Sequence, residues 1–349
     1  MRRWTGGLFD SVPNAVVSLL LLWLLWHAGV GFWDWAVTRA TLDATTAEQC
    51  ARRGGACWAF LADRWRLILF GPYPYTQQWR PALALAIFLV LVAATAAPPN
   101  WKKPGRIRAL GLAWFAGLPA MGVLMAGGLF GLPAVPLRLW GGLPLTMMLA
   151  SLGVALAFVL AVLLALGRVC AMPLIRMLCI FYIEFFRGVP LIALLFLVAV
   201  LFPYLVPPGW TMDILLRAQL AFALFFAAYM AEAIRGGLQA IPAGQYLAAA
   251  SLGMGYWQAH VRIILPQALR TVIPSLVNIF IAAFKDTSLV VVISMMDLLG
   301  AANASTAEAK WWGLYIEPYL FVAMIYLAFC SAMSAYSRAL ERRLGVGVR

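Results

Sequence analysis

Residues 232–292 read EAIRGGLQAIPAGQYLAAASLGMGYWQAHVRIILPQALRTVIPSLVNIFIAAFKDTSLVVV. The last part of this stretch is an apolar run suited to hydrocarbon. The segment before it, Gly236 to Leu265, is neither apolar nor compositionally biased. Ala248, Ala249 and Ala250 favour helix, Gly253 and Gly255 permit a sharp bend, and a second amphipathic stretch runs to Ile263 before Pro266. The pattern predicts two short helices set at an angle between two membrane spans. Such an element suits docking into a groove on a soluble partner, with apolar anchors filling pockets.

Outward from this segment the chain is dominated by lipid-compatible sequence. Of its 349 residues 64% are hydrophobic and 11% charged, and the mean hydropathy is +0.89, far too apolar for a soluble protein. Eight apolar windows recur, at 13–31, 82–97, 109–132, 143–166, 189–206, 218–235, 264–300 and 319–338. Unpaired backbone groups are costly in hydrocarbon, so each is expected to be a helix. The fold class is all-α: a polytopic membrane protein of about eight transmembrane helices. The first window follows Met1-Arg2-Arg3 like a signal peptide, but no small-x-small cleavage site precedes the polar stretch after Phe32, and it reads as a retained helix. His27, near its end, reads as an interfacial polar tip.

The net charge of +13 is not a nucleic-acid signature, because the basic residues alternate with apolar spans instead of forming one stripe or binding motif. Membrane topology accounts for them. With a cytoplasmic N-terminus, sixteen basic residues fall on inner segments: Arg2, Arg3, Lys102, Lys103, Arg106, Arg108, Arg168, Arg176, Arg187, Arg235, Arg262, Arg270, Arg338, Arg342, Arg343 and Arg349. Nine fall outside, at Arg39, Arg52, Arg53, Arg64, Arg66, Arg80, Arg138, Arg217 and Lys310, six of them in one long loop that weighs little in this rule. Both termini are therefore expected in the cytoplasm of a bacterial inner-membrane protein.

The long loop, residues 32–80, would be periplasmic. It holds Cys50 and Cys57, which in an oxidising compartment could close a small loop around Gly54-Gly55; the alternative is two unpaired thiols in an amphipathic hairpin. No second CxxC-type pair accompanies them, so no metal site is expected. Pro98 to Arg108 reads as a basic cytoplasmic loop between the second and third helices. The expected organisation is an N-terminal extension of three helices, 1–138, followed by a domain at 139–343 that carries the motif content.

Leu247 to Pro266 resembles the signature loop of importer permeases of the ATP-binding-cassette class, whose pattern is Glu-Ala-Ala, three residues, Gly, nine residues, Ile-x-Leu-Pro. Ala248, Ala249, Gly253, Ile263, Leu265 and Pro266 occupy the pattern's positions. Leu247 stands where the family usually has Glu, so a polar contact there is not implied for this chain. Glu232 with Arg235-Gly236-Gly237, Ile241-Pro242, Gly244-Gln245, Leu265-Pro266-Gln267-Ala268 and Lys285-Asp286-Thr287-Ser288-Leu289 look like polar amino-acid permeases. So do Gly142 with Thr146-Met147, and Glu184 with Arg187-Gly188-Val189-Pro190. The resemblance spans roughly residues 139–343, placing the permease core in the C-terminal five helices. The extra N-terminal helices and the GACW-bearing loop further resemble the M-type membrane chain of the bacterial general L-amino-acid transporter.

The resemblance implies a mechanism in which a periplasmic binding protein delivers an amino acid, two homologous permease chains, here a heterodimer, enclose the path, and separate ATPase subunits drive alternating access. The chain itself is expected to be non-catalytic and free of cofactors: G-x-x-x-x-G-K-[ST], HExxH and GxSxG are all absent from the sequence. A self-sufficient secondary transporter would instead show related halves and ionisable residues near mid-depth, and a membrane enzyme would show a cluster of acid, base or nucleophile.

Three smaller features have two readings each. Lys285, Asp286, Thr287 and Ser288 form a charged cluster in an apolar run; they either line the amino-acid path or make a structural ion pair with the partner chain or a helix-end snorkel. Glu184 and Arg187 form a gate or an interfacial ion pair. Trp311, Trp312 and Tyr315 belong to an interfacial aromatic belt or stack on substrate.

Overall fold

A computed structural model describes residues 8–97, 104–207, 209 and 211–344. Arg2, Arg3, Lys102, Lys103 and Arg349, invoked above for orientation, and Pro98 to Lys103 of the expected basic loop lie outside the described residues. Among the described residues the structure is helical, with isolated bridges at Thr41–Cys57 and Gly142–Asp297 in place of a sheet. The helices are α1 (Val12–Trp33), α2 (Ala47–Arg53), α3 (Trp58–Phe70), α4 (Trp79–Ala96), α5 (Pro104–Ala126), α6 (Gly142–Val169), α7 (Pro173–Gly188), α8 (Leu191–Phe196) and α9 (Phe202–Leu205). They continue with α10 (Ile214–Gln239), α11 (Ala243–Ser251), α12 (Tyr256–Ala259), α13 (Leu265–Asp286), α14 (Leu298–Ser305) and α15 (Ile316–Leu344).

Among the described residues seven helices are long and apolar enough to span a bilayer, and a bent pair raises the number to eight. That pair corrects the fifth window. Pro173–Gly188 and Leu191–Leu205 meet at 100°, because Val189, preceding Pro190, is driven to extended backbone (φ −95°, ψ 132°) and the helix cannot run through. The expected loop at Pro98–Arg108 is shortened, since α5 already starts at Pro104.

The chain divides into two compact units, residues Met1–Trp65 with Ser305–Leu320, and residues Arg66–Ala304 with Phe321–Arg349. In the larger unit α6 and α10 pack closely. Gly153, Ala157, Ala161 and Ala165 recur every four residues on α6, and Ala223, Ala227 and Ala231 do so on α10, and all are buried; a Cβ on Gly153 would stand 3.1 Å from the Phe222 Cβ of α10. Small residues on both faces let the backbones approach, which is how helices associate in lipid. A leucine in that stripe would overpack it at a cost of about 1–3 kcal/mol. Arg80 is fully buried; its guanidinium donates to the Leu124 carbonyl at 2.6 Å and to Pro133 at 2.9 Å. It thereby caps the C-terminus of α5, where a helix carries partial negative charge.

The smaller unit joins the N-terminal segment up to Trp65 to residues 305–320. Cys50 and Cys57 are bonded, with Cα atoms 5.5 Å apart. Gly55 between them admits no side chain, because a Cβ would stand 2.2 Å from the Arg39 carbonyl oxygen. The Cys57 N–H donates to the buried carboxylate of Glu317 at 2.8 Å.

Candidate functional site

The segment between α10 and α13 holds two short helices, α11 and α12, as expected, but both of its ends are built into longer helices. Its first residues belong to α10, which runs to Gln239. Pro242 then starts α11, and α11 ends on a left-handed residue: Gly253 has φ +67°, its N–H donates to Ala250 at 2.9 Å, and Met254 N–H donates to Ala249 at 3.1 Å. These are the paired bonds of a Schellman motif. The second arm is not separate. From Tyr256 the chain runs through α12 and a π-helical turn (His260–Ile264) into α13, one helical rod of 38 residues to Ile293. At 1.5 Å per residue that is about 57 Å, against a hydrocarbon core of about 30 Å, so one end must project from the bilayer. Exposed Gln258 and Arg262 lie at its N-terminal end, beside α11.

The six motif residues sort into framework and surface. Ala249 is buried, Ile263 and Leu265 pack against the core, and Ala248, Gly253 and Pro266 are exposed. Tyr246 donates to the Leu238 carbonyl at 3.1 Å and burial raises its pKa; its ring lies 6.0 Å from that of His260, bracing α11 against the projecting rod. Gln267 donates to Gln245 at 3.2 Å. At the base of the element a Cβ on Gly237 would stand 2.8 Å from the Ala268 carbonyl oxygen, which brings the Gly-Gly and Leu-Pro-Gln-Ala fragments of sequence face to face. The most exposed of the element's large apolar side chains are Leu247, Leu252, Trp257 and Val261, none of them a motif residue.

Lys285-Asp286-Thr287-Ser288 marks a change of helix type. α13 ends at Asp286 and a 3₁₀ segment, Thr287–Ile293, follows. The Thr287 hydroxyl donates to Phe284 at 2.8 Å and Ser288 to Lys285 at 2.9 Å, satisfying carbonyls at the transition. The side chains diverge: Thr287 is fully buried, Asp286 half-buried and Lys285 exposed. The seventh window, expected to reach residue 300, stops at Ile293, where Ser294 adopts φ +62°.

Thr287 opens onto a buried network that the sequence did not disclose. Its hydroxyl lies 3.4 Å from Tyr326 Oη, which lies 3.4 Å from Asp297 Oδ2. Asp297 Oδ1 accepts from Gly300 N–H at 2.8 Å, capping α14, and Thr146 Oγ1 accepts from Leu298 N–H at 3.0 Å. Burial pushes the Asp297 carboxyl up to about 6. The Gly142 and Thr146 positions singled out in sequence are thus part of a junction between α6, α13, α14 and α15.

A second cluster corrects the expected Glu184–Arg187 pair. Glu184 is bound to Arg168 at 3.0 Å, and Arg168 reaches Glu232 at 2.9 Å. Glu232 also pairs with Arg235, which donates to Gln239 at 2.6 Å. Arg187 lies over the Tyr229 ring at 5.8 Å. The break at Val189–Pro190 ends α7 and leaves Glu184 facing the end of α6, so the partner comes from a neighbouring helix. Two isolated acids in apolar context, Glu184 and Glu232, were the available signal for a shared arginine. Trp311 is no belt residue either: it is buried, its indole donates to Asp63 Oδ2 at 2.8 Å, and its ring lies 5.7 Å from Phe60. That hydrogen bond, then Arg64 and Lys310, hold the Asp63 carboxyl below its usual value of 3.8. Among the described residues no group of His, Cys, Asp or Glu is arranged to hold a metal ion.

Comparison with known proteins places this arrangement. Residues 157–346 match the family described as binding-protein-dependent transport system inner membrane component. The inner membrane amino-acid ABC transporter permease protein YhdY of Escherichia coli K12 is 45% identical, over 98% of this chain and 92% of its own length. The glutamate/glutamine/aspartate/asparagine transport system permease protein BztC of Rhodobacter capsulatus is 38% identical, over 97% of this chain and 92% of its own. The crystal structure of an amino acid ABC transporter with histidines contains a chain 33% identical, with a TM-score of 0.52, covering 58% of this chain and 92% of that one. The chain therefore belongs to the binding-protein-dependent transport system inner membrane components, the multi-pass, non-catalytic subunits of importers whose ATPase resides on another polypeptide.

Proposed function

We propose that this chain is the amino-acid-conducting subunit of its importer, moving L-amino acids from periplasm to cytoplasm by alternating access and coupled to the ATPase through residues 236–265. The observation that carries the coupling is the projecting, Schellman-bent element itself. Its framework residues Ala249, Ile263 and Leu265 are fixed to the core, while Leu247, Leu252 and Trp257 stand exposed for a partner groove. Ala248, Gly253 and Pro266 complete its surface and its bend. In this reading residues 139–343 form the permease domain and 1–138 an extension with its loop 32–80 in the periplasm. Both termini are cytoplasmic, and a second, homologous permease chain closes the path. Lys285 and Asp286 face that path or that partner, and Thr287 and Ser288 shape the helix transition that presents them.

The test is uptake of labelled amino acids into proteoliposomes holding the full complex. ATP inside and binding protein outside are both expected to be required. Uptake driven by an ion gradient with neither present would make the chain a secondary transporter and overturn the reading.

A further inference from the structure

The smaller unit carries a trough of about 780 Å³ whose walls come from distant parts of the chain. Ala47 and Glu48, at the start of α2, line one side; Ala309, Lys310 and Trp312 line the other. Both walls are fixed. The Cys50–Cys57 bond ties the middle of α2 to the residue before α3. The opposite wall is pinned by the Trp311–Asp63 hydrogen bond, by Lys310 at 3.5 Å from Asp63, and by an Arg64–Glu308 ion pair. Adjacent tryptophans are split between two tasks. Trp311 is 1% exposed and holds the wall; Trp312 is 67% exposed at the rim of the trough.

A preformed, aromatic-edged trough with one carboxylate and one ammonium at its rim has the anatomy of a protein-docking surface: an anchor surrounded by polar groups. It does not suit a free amino acid. That ligand would need its two charges matched in a water-excluded site, and the charges here are solvent-screened.

The compartment selects the partner. A disulfide persists where the environment is oxidising, which puts the unit on the side of the membrane from which a binding protein delivers substrate, and transport in this family depends on such a protein. Resting on the importer reading above, we infer that the trough between α2 and residues 307–312 is a docking site for the substrate-loaded binding protein, with Trp312 as its anchor.

The experiment uses the complete transporter in proteoliposomes, with the purified, amino-acid-loaded binding protein of the same system as probe. Transport rate is measured against binding-protein concentration. Trp312→Ala, which removes the anchor, is expected to raise the half-saturating concentration at least tenfold, and so is Ala47→Trp, which fills the trough from the opposite wall. A photo-crosslinking residue at position 312 is expected to give an adduct with the binding protein, a readout that holds even if either substitution impairs assembly. Half-saturating concentrations within twofold of wild type, or crosslinks only to lipid and other subunits, would overturn the docking site. If the wild-type complex transports without any binding protein, the importer reading fails instead; if wild type requires it and the trough variants behave normally, only the docking assignment fails.

Discussion

The Met254 N–H reaches back across left-handed Gly253 to the Ala249 carbonyl, 3.1 Å away, so the two signature residues Ala249 and Gly253 are members of one hydrogen-bonded turn. A Cβ at position 253 would meet nothing within 4 Å. The requirement for glycine is therefore conformational, roughly 1–2 kcal/mol for an L-residue held in that region. Gly253→Val is expected to lower ATP-coupled uptake severalfold while the complex still assembles. Gly253→Asn, which tolerates the left-handed region, should retain most of it. Uptake per ATP hydrolysed is the measurement; equal ratios in wild type and the valine variant would dissociate the bend from coupling.

At the helix transition, Asp286→Asn separates a path role from a structural one. With Asp286 half-buried and Lys285 exposed, a path role predicts normal assembly with a severalfold shift in apparent affinity or selectivity. Failure of subunits to copurify would indicate an ion pair with the partner chain instead.

Thr287→Val should act on stability. It removes the hydroxyl bound to the Phe284 carbonyl and facing Tyr326, at a cost of about 1–3 kcal/mol. The midpoint of thermal unfolding in detergent is expected to fall, and to fall less in a Thr287→Ser variant.

For Cys50 and Cys57, peptide mapping of unreduced, alkylated protein from the membrane should recover the two peptides linked. Their separation of seven residues gives a stabilisation of about 2–3 kcal/mol in the chain-entropy picture. Finding both thiols alkylated without prior reduction would rule the bridge out in the cell.

Asp63 supplies a pH dependence. Its folded pKa lies below 3.8, chiefly through the Trp311 indole N–H, so its contribution is fully present above 3.8 and is lost as pH falls through the lower, folded value. Trp311→Phe removes that donor, and its destabilisation should be largest near neutral pH and diminish under acid. Thermal midpoints of both proteins between pH 7 and pH 3 should converge; a gap constant across that range would mean that only the packing of Trp311 against Phe60 matters.

The sequence by itself determined the class of the protein, since long apolar windows in lipid have one outcome, helix. It also determined the family, because Ala248, Ala249, Gly253, Ile263, Leu265 and Pro266 keep spacings that a local turn and a helix face require. Only the tertiary structure decided what those residues touch. Gly237 and Ala268 are 31 positions apart in sequence yet in contact; Arg168 takes Glu184 from Arg187; Trp311 turns inward to Asp63 while Trp312 stays out. Local propensity and periodicity report which face of a helix is apolar. Which polar group will meet a buried charge depends on where the chain breaks and returns, here at Val189–Pro190 and Ser294, and that is fixed by the packing of whole helices.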